Sequence, residues 1–148
     1  MKKKEKKTKG QRGSQGQNRK MSEDFWYRNR QKAGVITLPS GLQYVPVAES
    51  SEGGCPRLED TVVVDQRIKL VDGTVVRDTF LEREQDTFGV SETMEGLQEG
   101  LMLMREGARY RFFIPWELAW GKSGNGKKIG PYSMLIADVW LERVIPGR

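Results

Sequence analysis

The sequence predicts an α+β fold: a twisted antiparallel sheet wrapped around one short helix, with a second helix and a basic tail in front. Three observations predict it. Apolar and polar residues alternate in several stretches after Gly41, one stretch between them repeats apolar residues at helical spacing, and residues 2–20 contain nothing a core could bury.

At 148 residues and 36% apolar content, the chain fits one domain plus a tail. Residues 1–20 hold nine Lys or Arg against Glu5, a net +8 within a total of +5, so the remaining residues carry −3. Such a segment has no apolar burial to offset the entropy of ordering, and disorder is expected over 1–20. It suits either contact with the phosphates of a nucleic acid or another polyanion, or a solubilising arm. Met21 offers an alternative start.

Residues 21–37 form an expected helical extension. Ser22 is placed to cap, Glu23 and Asp24 suit a first turn, Arg28, Arg30 and Lys32 a last one, and Gly34 a stop. This predicts a helix over about 23–32. Phe25, Trp26 and Asn29 share one side, so docking through the two aromatics is expected ahead of base stacking by Trp26 and Tyr27.

From residue 38 to 148 a single β-rich domain follows. Val62, Val64, Gln66, Ile68 and Leu70 lie on one face of a strand, with Thr61, Asp65, Arg67 and Lys69 on the other. Asp72-Gly73 marks a hairpin into a return strand at Val75-Val76. A strand over 108–114 places Tyr110, Phe112 and Ile114 opposite Arg109 and Arg111, and Pro115 ends it. A last strand over 134–144 aligns Leu135, Ala137, Val139 and Leu141. Met94, Leu97, Leu101 and Met104 mark the intervening helix, closed by Gly107.

The absence of histidine removes Ser-His, Cys-His and His-metal chemistry. Cys55, alone in Gly53-Gly54-Cys55-Pro56, reads as an inert loop thiol. No metal site and no cofactor are expected. The basic N-terminus lacks the apolar run of a signal peptide, and no stretch approaches the ~20 apolar residues of a membrane span. A cytoplasmic monomer is the expectation. Gly121-Lys122-Ser123 is not a phosphate loop, because Trp116 stands where its first glycine is required.

Four blocks carry a family resemblance: Leu38-Pro39-Ser40-Gly41-Leu42-Gln43-Tyr44, Val71-Asp72-Gly73-Thr74-Val75, Glu99-Gly100-Leu101, and Ile114-Pro115-Trp116-Glu117-Leu118-Ala119-Trp120-Gly121. In order and spacing over about residues 38–145, they resemble the FKBP family of prolyl isomerases. The resemblance implies a cleft for proline-containing peptides. Turning an X-Pro bond breaks amide resonance, a barrier of ~18–20 kcal/mol that needs no nucleophile to lower. It needs an apolar grip on the proline, exclusion of water, and a donor for the twisted amide.

Carried over by motif, Phe88 and Ile129 match wall residues of that cleft, and Thr93 and Met94 stand where the family has Val-Ile. Trp120 replaces a tyrosine whose hydroxyl donates, and Leu97 replaces the tryptophan of the floor. Phe88, Leu97 and Trp120 are therefore the residues expected at the isomerising centre. Val76-Arg77 stands where the family has Phe-Asp, and Asp78, one residue on, is expected on the opposite face of its strand. Gln66 replaces a strand tyrosine and Ala137 a phenylalanine. Gln66 reads equally as a satisfied core glutamine or as part of a pocket. The implied cleft is wider, more polar and more basic than the family pattern. Two functions follow: a weak or narrowly specific prolyl isomerase, or a non-catalytic protein-binding module tethered to a polyanion by its tail.

Overall fold

The computed structural model describes residues 15–147. Its strands are β1 (Ile36–Thr37), β2 (Gln43–Ala48), β3 (Thr61–Leu70), β4 (Val75–Asp78), β5 (Asp86–Gly89), β6 (Arg109–Ile114) and β7 (Leu135–Ile145). They form one sheet, ordered β1-β2-β6-β7-β3-β4, in which every neighbouring pair is antiparallel. β5 also pairs with β3. The far edge of β3 is thus shared: Thr61 to Val64 face β5, and Arg67 to Lys69 face β4. A four-residue helix, α2 (Thr79–Glu82), bridges the gap, capped by the Asp78 carboxylate, which accepts from the amides of Phe80 and Leu81.

The alternation in β3 and β7 sorts side chains as their sequence predicts. Val62, Val64, Gln66, Ile68 and Leu70 are buried, while Arg67 is exposed. Leu135, Ala137, Val139 and Leu141 meet them from β7 in one core with Phe112 and Ile114 of β6. Into its concave side packs α3 (Glu95–Leu101). Two glycines let it sit close. A Cβ on Gly96 would lie 2.4 Å from Ile114 Cγ2, and one on Gly100 would lie 2.5 Å from Phe112 Cε1. Leu97 and Leu101 share that face and are buried.

The N-terminal helix is longer than predicted, and residues 15–20, expected to be disordered, belong to it: α1 spans Gln15–Arg30. Two kinds of contact order this first stretch. Arg19 and Lys20 pair with Glu23 and Asp24 one turn on, at 3.1 and 3.2 Å. Asn18 Nδ2 donates to the Pro131 carbonyl at 2.9 Å, and the Arg19 guanidinium lies over the rings of Trp116 and Tyr132. The disorder expected over 1–14 lies outside the described residues.

Ser22 is consequently not a cap. It sits inside the helix, 5% exposed, and its hydroxyl donates to the Tyr132 carbonyl while accepting from Met134 N. A serine amid apolar neighbours satisfies its hydroxyl on the sheet when the chain before it continues the helix. Phe25 and Trp26 pack with Phe113, Met134 and Ile136 on the sheet's outer face. Asn29 donates to Gln43 Oε1 at 2.8 Å, Gln43 in turn donates to the Trp26 carbonyl, and Trp26 Nε1 donates to Gly41 O at 2.7 Å. Docking therefore uses hydrogen bonds as much as aromatic burial, while Tyr27 remains exposed. Among the described residues no helix is long and apolar enough to cross a membrane.

Gly100→Ala tests the close approach of α3. In an open helix the change would stabilise by up to ~1 kcal/mol. Here the added methyl meets the fully buried Phe112 ring, and urea unfolding should show a loss of about 1–3 kcal/mol. A gain in stability would show that α3 is not held against β6.

Candidate functional site

A cleft of ≈ 360 Å³ opens where the end of the sheet meets the start of α3. Ile68 of β3, Val76 of β4, Met94 before α3, Trp120, Ile129 and Leu135 of β7 give it apolar walls, and Arg77, Asn125, Lys127 and Lys128 give it a polar margin. Two other concavities, of ≈ 390 and ≈ 440 Å³, run along α1. These are seams of the helix–sheet contact, lined by residues such as Trp26, Phe25 and Asn29 that already hold α1 in place. The smaller cleft draws its walls from separate elements and continues into the main core, which makes it the candidate site.

Each wall has a local cause. Met94 is extended (φ −62°, ψ 154°), and its carbonyl accepts the first helical bond from Gln98, so its side chain leaves the helix start toward the cleft. Pro115 ends β6 and begins a 3-10 turn, Trp116–Leu118, which delivers Trp120 to the mouth, 46% exposed. The following loop is held at both ends. Gly124 N donates to Trp120 O, Tyr132 N to Gly121 O, and Asn125 N to Ile129 O. The Asn125 side chain accepts from the amides of Lys127 and Ile129 at 2.9 and 3.0 Å. A Cβ on Gly124 would lie 2.4 Å from Ile129 O, so the loop folds this tightly only with glycine there. Ile129 is thereby pressed into the wall, 5% exposed.

Five residues expected at the site line this cleft: Val76, Arg77, Met94, Trp120 and Ile129. The other five stand outside its lining. Leu97 and Ala137 are buried in the core, 2% and 0% exposed. Thr93 uses its backbone carbonyl to accept from Gln98 Nε2 as α3 begins. Phe88 packs half-buried against the core, opposite Val62 at the far part of β3. On the same face of β5, two residues nearer the cleft, stands Asp86, opposite Val64. Gln66 lies behind Asp86 and donates to its Oδ2 from Nε2 at 2.8 Å.

Outside the lining, Asp86 is the partner of Arg77 that sequence reasoning missed. Arg77 clasps it with Nε, at 3.0 Å from Oδ2, and with Nη2 on Oδ1, and also pairs with Glu82 through Nη1. The signal was a lone cation in a β-strand followed nine residues on by a carboxylate in the next strand. Burial pushes the Asp86 carboxyl upward, but its hydrogen bonds from Arg77 and Gln66 outweigh this and hold it below its ordinary 3.8. The same hydrogen bond from the other side raises Arg77. Arg77 is thus paired with two carboxylates, Asp86 and Glu82, neither of which lines the cleft. Asp78 points to the opposite face, bonding Arg67 and capping α2. Gln66 Oε1 is buried without a partner.

Because Asp86 has a lowered folded pKa, its stabilisation is present above the ordinary carboxylate range and lost as pH falls through the folded value. A double-mutant cycle with Arg77→Ala and Asp86→Asn, followed by urea unfolding, should give a coupling of about 1 kcal/mol at pH 7 that fades below about pH 4. No coupling at pH 7 would mean that the pair does not form in solution.

The fold and chain order agree with the comparisons. Residues 53–142 match the family model described as FKBP-type peptidyl-prolyl cis-trans isomerase, and residues 1–45 match the one described as the domain amino terminal to it. A probable FKBP-type peptidyl-prolyl cis-trans isomerase FkpA from Neisseria meningitidis serogroup B is 38% identical over 127 residues, 86% of this chain and 46% of that protein. The outer membrane protein MIP of Legionella longbeachae is 37% identical over 125 residues, 84% of this chain and 53% of that protein. The crystal structure of FkpA from Escherichia coli superposes with a TM-score of 0.86 at 31% identity, over 90% of this chain and 62% of that one. The chain thus spans about half the length of these two curated relatives. It belongs to the FKBP-type peptidyl-prolyl cis-trans isomerase family.

Proposed function

We propose that the cleft between Val76, Met94, Trp120 and Ile129 binds X-Pro segments and accelerates their cis–trans isomerisation. The observation that supports this most is the convergence of six apolar side chains on one open hollow with an indole at its mouth. The apolar walls hold the pyrrolidine ring and exclude water. An indole N–H is a donor of the kind the twisted amide's carbonyl needs, and it accepts nothing in return. Rate then comes from holding the twisted amide better than the planar one.

The rate is low in this reading. Leu97 lies in the core, so no aromatic floor stacks on the proline, and Arg77 is held by Asp86 and Glu82 away from the role of a lone charge. Each lost contact of ~1 kcal/mol lowers kcat/KM about fivefold. A protease-free assay on an Ala-Leu-Pro-Phe peptide should show measurable acceleration by the 148-residue chain. Trp120→Ala should reduce kcat/KM about tenfold or more, as expected for an aromatic contact and a donor worth ~1.4 kcal/mol together. No acceleration at high protein concentration would overturn the catalytic reading and leave a binding module.

A further inference from the structure

On the outer face of the sheet, the packing of α1 leaves a groove of ≈ 440 Å³ beside the end of that helix. Its floor is apolar: Val45 of β2, Phe113 of β6 and Ile136 of β7 lie there, flanked by Val47 and Val71. Val47 is 47% exposed, so this floor is not sealed by the helix.

Three cations and no carboxylate line the groove: Lys32 just beyond α1, Lys69 of β3 and Arg111 of β6. Arg111 is matched by Asp138, which accepts from its Nε at 2.8 Å and its Nη2 at 3.2 Å. The two lysines are not matched. Among the described residues, neither side chain forms a hydrogen bond or a salt bridge. Lys32 Nζ stands 5.9 Å from the centre of the Phe25 ring, which holds the ammonium at the groove wall. Lys69 is half-buried, opposite Ile136. Asp72, next to Gly73 of the lining, accepts from Thr74 N within its own turn at 2.9 Å.

The floor decides what kind of anion fits. Beneath Phe113, Ile136 and Lys69, the strands β6, β7 and β3 are each hydrogen-bonded to a neighbour on both edges. Asn29, the other polar side chain in the lining, is bonded to Gln43. A peptide laid across this floor would turn amides onto apolar side chains, at a cost of about 1–3 kcal/mol for each one left unpaired. An acyl chain has no such groups to lose. Its single anionic head needs only the two ammonium groups.

We propose that this groove binds free amphiphilic carboxylates of short to medium chain length, with the acyl chain on Phe113 and Ile136 and the head within reach of Lys32 and Lys69. The site lies on the opposite face of the sheet from the X-Pro cleft, and it stands whether or not the chain isomerises proline. Exposed charge pairs are individually weak, so the two lysines together favour the acid over its uncharged analogue by about fivefold.

The test titrates the 15N-labelled 148-residue chain with octanoate, octan-1-ol and octylammonium, each below its micelle concentration. Octanoate should shift the amides of Ala33, Val45 and Val71 saturably, with a Kd of about 1 mM, as expected for a ligand of its size. Octan-1-ol should bind about fivefold more weakly and octylammonium more weakly still, with the difference shrinking in 500 mM salt. The Lys32→Gln, Lys69→Gln double variant, its fold checked by urea unfolding, should bind octanoate and octan-1-ol alike. Val47→Glu, which adds a carboxylate at an exposed position of the lining, should reverse the order of octanoate and octylammonium. Octanoate that binds no more tightly than octan-1-ol, or shifts that do not saturate, would overturn the proposal. So would tighter binding of an acetylated Leu-Asp-Leu-Glu-Leu peptide than of octanoate, or shifts of these amides by phosphatidylglycerol vesicles without any by octanoate.

Discussion

The close seating of α3 against β6 is the constraint on which the rest depends. Without side chains at Gly96 and Gly100, the helix backbone lies directly on Ile114 and Phe112. Its depth decides how much space remains at its start, where Met94 turns outward. A helix held further out would carry Met94 away from Val76 and Ile129, and Leu97 would no longer be sealed from solvent. The hollow thus comes from backbone packing, before any residue selects a ligand. Close packing of the interior transmits such positions with little play.

The second determinant is electrostatic and local. Arg77 in a β-strand wall would carry an unfavourable desolvation cost if left alone. Asp86 and Glu82 remove most of it, and Gln66 completes the set from the buried side. Because the pairing is intramolecular, the cleft keeps an apolar interior, with Arg77, Asn125, Lys127 and Lys128 at its polar margin. That division is consistent with a site for an uncharged ring with polar flanks.

Much of the fold was legible in the sequence. Period-two alternation located β3, β6 and β7, and Asp72-Gly73 located the β3–β4 turn, because one face of each strand is buried. The elements it did not show are β1, of two residues, β2, which pairs with β6, α2, of four residues, and β5, which depends on pairing with β3. The start of α1 was misplaced because its order comes from Pro131, Trp116 and Tyr132, over a hundred residues away for Pro131. At the site, motif matching found half of the expected lining. It placed Phe88 in the wall by its match to a family motif, and it did not anticipate that Asp86, two residues earlier on β5, stands beside Arg77. A charge complement is invisible to a search for matching residue types. Leu97 and Ala137, matched to pocket positions by resemblance, are buried in the core.

Titration of the 15N-labelled chain with an X-Pro peptide, followed through the tryptophan indole N–H signals, tests the central claim most directly. Trp26 Nε1 is bonded to Gly41 O on the outer side of the sheet and serves as an internal reference, while Trp120 stands at the mouth of the cleft. If X-Pro segments occupy this cleft, the Trp120 signal and the backbone amides of Val76, Met94 and Ile129 move together in a saturable way, with Trp26 unchanged. Shifts confined to the α1 seam, or none at Trp120, would contradict it.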